Sequence, residues 1–514
     1  MSPDVVVVGA GPTGLMVACE LRLHGVDVVV LEQLPAPTGR SKALGLFGRA
    51  ARTLDYRGLL ERFDSVPVPE ADYGRWAHLS GIGLDVAGLV GSAPAGHFPA
   101  PLPVRQAEVE RVLEDRAREL GGLVQRGHEL VGFSEGAEDV TIDVLGPDGP
   151  YQLRARYLVG CDGARSRVRA RSGIGFSGSA ATVVCRLGDV EISGSDDVPI
   201  GMRRTATGLL TVVPLDGEVH RVVSAEWGGQ VDRDGPMTLE ELHASVRRVH
   251  GAELAMREPR WLSRFTDAAR QADRYRAGRA LLAGDAAHIQ FPAGGPGMTT
   301  GLQDAANLGW KLAAEVRGWA PPGLLDTYHA ERHPVAERTL SFSRAQSLLL
   351  APGEQMTALR DLLTDVLAHE QALRYVVDRL WALDLRYDLD DTSAHPLVGC
   401  FAPDLPLTTD RGSTRLAVLM HGGQPLLLDP TPDGRLATDA AAWADRVTIV
   451  RAASSASLDG LLVRPDGYVA WADDAANHDA DRLGRALSRW FGPASLGDAT
   501  RSLAAAGNLR KEIG

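Results

Sequence analysis

Lysine is almost missing from this chain. Only Lys42, Lys311 and Lys511 occur among 514 residues, so arginine carries nearly all the positive charge. That charge is not gathered into a basic face, and the formal net charge is −12. Both facts argue against nucleic acid as a ligand, which calls for concentrated cations along a phosphate backbone. Cysteine is scarce too. Cys19, Cys161, Cys185 and Cys400 form no CxxC pair and no zinc spacing, so a reduced chain without a structural metal is expected. No apolar run approaches the ~20 residues of a membrane helix, and Val5–Val8 lacks a basic leader and a cleavage site. These absences point to a cytoplasmic protein with no membrane partner. At 514 residues it exceeds what one core serves, so two or three domains are expected.

What is present begins at once. "DVVVVGAGPTG" is a buried β-branched run closed by G-x-G-x-x-G at Gly9, Gly11 and Gly14, and "LMVACELRLHG" continues it as a helix stopped by Gly25. "VDVVVLEQ" is a second strand ending on Glu32. In such a unit Gly9 allows the tight turn, Gly11 admits a pyrophosphate and Gly14 lets helix and strand close up. The helix N-terminus offers free N–H groups to the phosphates. Glu32 stands where a carboxylate accepts both ribose hydroxyls, and its charge disfavours a 2′-phosphate. "GIGFSG" at 173–178 fits the same pattern in the wrong setting, after an arginine-rich helix and before a strand, and is a decoy.

The fingerprint alone does not separate NAD from FAD. Asp162 in "LVGCDGARSRVR" and Asp285 in "LLAGDAAH" each follow a strand and carry a glycine partner. A lone aspartate there is usually a helix cap. Two of them after a dinucleotide fingerprint point to FAD, with Asp285 on a polyhydroxylated chain such as ribitol.

The fold class expected is α/β: a Rossmann-type FAD-binding domain over 1–178 and 264–395 with a helical extension, an inserted sheet-rich substrate domain over 179–263, and a small α/β domain over 396–514. Helices are expected over roughly 300–390, and the Pro-Asp-Gly at 465–467 reads as a turn between two strands.

Four stretches, "VVVVGAGPTGLMVACELRLHGVDVVVLEQL", "YLVGCDGARSRVR", "RALLAGDAAHIQFPAGGPGMTTGLQDAANLGWKLA" and "LLDTYHAERHPVAER", resemble class A flavoprotein monooxygenases of the para-hydroxybenzoate hydroxylase type. The resemblance is nearest to aromatic polyketide hydroxylases of actinomycetes, and the third domain resembles the thioredoxin-like C-terminal domain of that group. It implies FAD as cofactor, NAD(P)H as a transient co-substrate, O₂ and a polycyclic aromatic small molecule as partners, and a homodimer. The implied FAD contacts are Gly9, Gly11, Pro12, Thr13, Gly14, Glu32, Gln33, Lys42, Gln106, Leu130, Asp162, Gly284, Asp285, Pro292, Gly295, Gly297, Met298 and Thr299. Asp285 would take the ribitol, Asp162 the pyrophosphate region, and Leu130 the adenine through its backbone. Lys42 replaces an arginine, keeping the charge and losing the fork.

In such enzymes NAD(P)H reduces FAD, oxygen adds at flavin C4a, and the resulting hydroperoxide oxygenates an aromatic ring; hydroxylation is the expected outcome. Baeyer–Villiger insertion and coupled oxygenation–dehydration stay open, as do a flavin enzyme that does not oxygenate and a non-catalytic partner with a degenerate flavin site. The catalytic candidates are Pro292, against the ring, and Arg49. Arg52 shares the Arg49 face, and solvated surface is the alternative for both. His288 reads as structural, since a lone histidine needs a second group to act as a base. The apolar pocket is expected between the flavin domain and the sheet of 180–262, with helices around 350–385. Cys400, the single thiol of the third domain, cannot cycle as a dithiol. A helix is expected from about Thr299, with Leu302, Ala305, Ala306, Gly309 and Leu312 inward. Relatives commonly read "GGQGLNTG" where this chain reads "GGPGMTTG", so Pro296 and Thr299 are departures. FAD binding is expected to survive them, with flavin position or reactivity altered.

Overall fold

The computed structural model describes residues 2–64, 77–92, 100–193, 198–228, 235–389, 395–454, 458–474 and 480–495. The stretch "GSAPAGHFPAPLP", 91–103, has the composition of a loop, and its residues 93–99 lie outside them. Val5–Val8 is the spine of the first domain, paired in parallel with Val28–Glu32 on one side and Tyr157–Gly160 on the other. The sheet runs on through Leu123–Arg126 at one edge and Ala280–Leu282 with Arg276–Ala277 at the other. All four central valines are buried, as expected of a parallel sheet covered on both faces, which reads as an unbroken apolar run. Helix α1, Pro12–Leu23, carries the chain from the first strand to the second. Helix α2 is short, Arg49–Asp55, so Leu59 falls in the turn beyond it. Then come α3, Ala87–Ser92, α4, Gln106–Glu119, an antiparallel three-stranded sheet over 129–155, and α5, Arg167–Arg171. The "GIGFSG" stretch leaves α5 and enters the strand Phe176–Ser179, with no helix after its glycines.

Residues 183–266 form a separate five-stranded antiparallel sheet, ordered 201–204, 208–216, 219–227, 183–192 and 256–266. Helix α6, Leu239–His250, covers one face through Leu242, Val246 and Val249. Its start is set by Thr238, which accepts from the Glu241 N–H, and its end by Gly251 at φ +80°. Trp227 packs beside Val183 and Phe291. Four helices follow: α7, Pro296–Arg317, α8, Thr327–Leu349, α9, Glu354–Leu367, and α10, Glu370–Leu380.

In the C-terminal domain Leu426–Asp429 pairs in parallel with Thr448–Arg451 and antiparallel with Gly460–Val463, which turns back into Val469–Asp473. With α11, Leu416–Leu419, α12, Arg435–Asp439, and α13, Ala480–Phe491, this is a thioredoxin-like order. The Pro-Asp-Gly turn sits where expected, with Gly467 at φ +85°. Trp310 and Ala314 of α7 belong to this domain's core rather than to the first. All four cysteines are free thiols. Among the described residues no helix is long and apolar enough to cross a membrane, and no group of side chains is arranged to hold a metal ion.

Candidate flavin site and the cleft beside it

The three fingerprint glycines differ in what surrounds them. A Cβ on Gly9 would lie 2.4 Å from the Cys161 carbonyl oxygen, and one on Gly14 would lie 2.0 Å from the Gly9 carbonyl oxygen. Both positions are closed by packing. A Cβ on Gly11 meets nothing within 4 Å. Gly11 is also the N-cap of α1 and no side chain caps that helix, so its first N–H groups face an opening. At the end of the next strand the Glu32 carboxylate accepts the Ala10 N–H at 2.9 Å and the Leu34 N–H at 2.9 Å. It braces the turn with one amide on each oxygen and keeps lone pairs for hydroxyl groups. Gln33 beside it is exposed.

Thr13 joins three distant segments. A Cβ on Gly284 would sit 2.6 Å from its Oγ1, and one on Gly301 only 2.3 Å from it. The fingerprint turn, the "GD" turn and the first turns of α7 therefore converge. Asp285 lies in a short 3-10 turn with its side chain exposed. Asp162 does what the bland alternative supposed: its Oδ2 accepts the Arg167 and Val168 N–H groups and caps α5. Its Oδ1 is buried without a partner, so the acid keeps an acceptor in reserve. The Leu130 carbonyl is taken by Arg167 Nη1 at 3.1 Å. Gln106 ties the 41–43 loop to α4, its backbone N–H donating to the Ala43 carbonyl at 3.1 Å, while Lys42 is exposed.

The glycine loop ends earlier than the sequence suggested. The Pro292 carbonyl accepts the Gly295 N–H at 2.9 Å, and Gly294 and Gly295 have φ of +74° and +66°. Helix α7 begins at Pro296, three residues before Thr299. Proline suits that first position because no helical bond needs its N–H. Thr299 is inside the first turn, so it does not cap the helix, and its hydroxyl has no hydrogen-bond partner. Gly297 has only Gln290 within reach of a Cβ, at 3.7 Å, and Met298 packs on the first core. Pro296→Gln is therefore expected to destabilise the fold by no more than about 1 kcal/mol, the entropy that proline removes from the unfolded chain. Urea unfolding measures this, and a gain in stability would show that the proline strains the loop.

A cleft opens beside this loop. Ala293–Pro296 and the Thr299, Thr300 and Gln303 face of α7 form one wall. The Val335–Gln346 face of α8, Arg379, Leu380, Ala382 and Leu385 at and beyond the end of α10, and Phe47 form the rest. Its cavity volume is about 60 Å³, room for a few water-sized groups. None of its lining comes from the sheet of 180–262, which packs on Phe291 and Leu350. Arg49 is only 5 % exposed, which overturns the solvated alternative. Its Nε donates to Ala382 O at 2.9 Å and its Nη2 to Leu383 O at 2.8 Å. Burial lowers its pKa. Arg49 thus holds the α10 wall of the cleft, and Arg52 is half-buried.

Residues 2–343 match the family described as FAD binding domain, and residues 395–494 match the C-terminal domain of aromatic-ring hydroxylases. This chain belongs to the FAD-dependent aromatic-ring hydroxylases. It is 42 % identical over 515 residues to the 12-dehydrotetracycline 5-monooxygenase/anhydrotetracycline 6-monooxygenase of Streptomyces rimosus, covering 96 % of this chain and 100 % of that one. It is 44 % identical over 504 residues to a rifampicin monooxygenase of Streptomyces venezuelae, with the same coverage of 96 % and 100 %. Among solved structures it is similar to CabE, an aromatic hydroxylase from angucycline biosynthesis, at 40 % identity and a TM-score of 0.88, covering 96 % and 100 %.

In this flavin-dependent hydroxylase, His288 is not a lone histidine. It is buried with Nε2 at 2.7 Å from Asp304 Oδ2, while Arg332 Nε donates to Asp304 Oδ1 at 2.7 Å. Burial works to raise the Asp304 carboxyl, but Arg332 and His288 outweigh it and hold its pKa below the ordinary value. Asp304 also accepts the Gly284 N–H, so this trio fixes the "GD" turn against α7. The hydroxylase carries a second buried cluster that sequence reasoning missed. Glu331 of α8 accepts from Lys311 and Asn307 of α7 and from Arg464 of the C-terminal domain, at 2.7–2.8 Å. The only hint was a glutamate and an arginine, 331 and 332, side by side in a helix.

Proposed function

We propose that this hydroxylase uses FAD and NAD(P)H to insert one oxygen atom of O₂ into a multicyclic aromatic polyketide of the antibiotic type. The observation that carries the reading is the opening at Gly11, joined through Thr13 to the "GD" turn and α7. The first N–H groups of α1 would hold the pyrophosphate. Glu32 would take the ribose hydroxyls and Asp285 the ribitol, and Asp162 Oδ1 offers a further acceptor near the phosphates. Bound FAD supplies the redox chemistry, accepting a hydride and activating oxygen. Helix α7 runs for 22 residues and no side chain caps its N-terminus. Its first N–H groups would face the pyrimidine end of the ring, stabilising the negative charge that gathers there on reduction. Exposed Pro292 would lie against the ring, and Arg49 would act through the backbone of Ala382 and Leu383 as a positioning residue.

The test is turnover of the FAD-loaded enzyme under ¹⁸O₂ with a panel of polycyclic phenols and ketones. A product carrying one labelled oxygen is expected. Unlabelled product would assign the chain to flavin chemistry without oxygenation.

A further inference from the structure

Arg332 of α8 is completely buried, and its three nitrogens end on three different partners. Nε donates to Asp304 Oδ1 at 2.7 Å, Nη2 to the Thr300 carbonyl at 3.3 Å and Nη1 to the Tyr387 hydroxyl at 3.0 Å. The first two belong to α7, and Asp304 also accepts the Gly284 N–H. One guanidinium therefore sets the first turns of α7 against the turn that carries Asp285. The third partner lies elsewhere in the fold. Tyr387 is part of the C-terminal core, its N–H donates to the Gly399 carbonyl at 2.8 Å, and its ring stacks on Tyr468 at 4.0 Å.

Tyr468 closes a turn with Arg464, and this turn reaches three more helices or their neighbours. Arg464 pairs with Glu331 of α8, and Asp466 Oδ2 accepts from Asn307 of α7 at 2.8 Å. The Pro465 carbonyl accepts from Arg57 Nη2 at 2.7 Å, and Arg57 pairs with Glu20 of α1. Helices α1 and α7 leave no slack between them, since a Cβ on Gly309 would lie 2.2 Å from the Glu20 Cβ. Parts packed this closely move together or not at all.

We infer that Arg332 is a positioning residue for FAD and that the C-terminal domain holds it in place through Tyr387. It acts through Asp304 and Thr300 on the "GD" turn and the start of α7. The C-terminal domain then supports flavin binding without lending a residue to the site. Seating of the Arg464–Tyr468 turn and binding of FAD favour each other, and such coupling is reciprocal. This rests on the placement of FAD at Gly11 and the "GD" turn.

Hydrogen exchange of the apoprotein and the FAD-loaded protein tests the coupling without any substitution. FAD should slow exchange across Arg464–Tyr468 about tenfold and leave the edge strand Thr448–Arg451 of the same domain unchanged. Tyr387→Phe keeps the ring on Tyr468 and removes only the hydroxyl that Arg332 uses. It should raise the Kd for FAD about tenfold, the loss of one hydrogen bond to a buried charge, and abolish the protection of the turn. Equal slowing of turn and edge strand would be stabilisation of the whole fold and would overturn the inference. Unaltered exchange at the turn, or a folded Tyr387→Phe variant with wild-type FAD affinity, would overturn it too. If that variant does not fold, the exchange measured on the wild type decides alone. Gly11→Val, which obstructs the opening at α1, separates the premise. Wild-type FAD affinity there would discard the placement of FAD, whereas lost affinity with unaltered exchange at the turn would discard the coupling alone.

Discussion

Glu331→Gln is expected to destabilise the protein by about 3–5 kcal/mol, the usual cost of leaving a buried charge without its partner. Glu331 is the anion that Arg464, Lys311 and Asn307 share, and Asp466 supplies the second carboxylate, which Arg464 and Asn307 also contact. Arg464 and Lys311 are both 0 % exposed. Two cations against two anions make a neutral cluster. Glutamine keeps the shape and leaves two cations facing one anion. Lys311→Met leaves Arg464 alone against two anions and should cost a comparable amount. Denaturant unfolding, followed through Trp490, whose ring lies 4.5 Å from the Arg464 guanidinium, measures both variants. A loss below about 1 kcal/mol in either would refute this account of the cluster.

The same cluster sets a pH dependence. Burial works to raise the Glu331 carboxyl, but Arg464 and Lys311 outweigh it and bring it down to about 2 from 4.5. Its stabilisation is therefore complete above pH 4.5 and is lost as pH falls toward about 2. Lys311 goes the other way for a base: burial lowers it to about 8 from 10.5. The unfolded chain binds more protons than the fold across that interval, so this group adds stability as pH rises from about 8 to 10.5. In Glu331→Gln that rise should start at lower pH, since Lys311 has lost its strongest attraction.

Helix α7 shows which part of such a molecule can be read from its residues in order. The inward face of Leu302, Ala305, Ala306 and Leu312 was legible from spacing alone, and all four are buried. Asp304, Asn307 and Lys311 lie on the faces that spacing assigns to water, yet each is 0 % exposed. Apart from the Lys311–Asn307 bond, their side-chain partners stand at 288, 331, 332 and 466, so little within one helical turn announces them. The fingerprint was legible for the opposite reason: turn, helix and acid all lie within 24 residues, and each is constrained by its neighbours. The cleft beside the glycine loop was not legible in the sequence. Its actual walls depend on where α8 and α10 come to rest against the glycine loop.

The fingerprint itself gives the last prediction, because two of its glycines should fail differently. Gly14→Ala puts a methyl group 2.0 Å from the Gly9 carbonyl oxygen, where helix and strand are already in contact. That variant should not yield folded protein. Gly11 has φ −80° and ψ 178°, an extended conformation open to any residue, and its Cβ would meet no atom within 4 Å. Gly11→Val should fold with a stability within about 1 kcal/mol of the apoprotein, as for a substitution that touches nothing. Its branched side chain would nonetheless stand over the uncapped N–H groups of α1, where the pyrophosphate must come. FAD affinity should fall by about a hundredfold or more, equivalent to roughly 2.7 kcal/mol, read from flavin absorbance in the purified protein and from titration with FAD. Wild-type affinity in a folded Gly11→Val variant would mean that the phosphates approach elsewhere. Loss of the fold together with the flavin would mean that the opening is packed in the working protein.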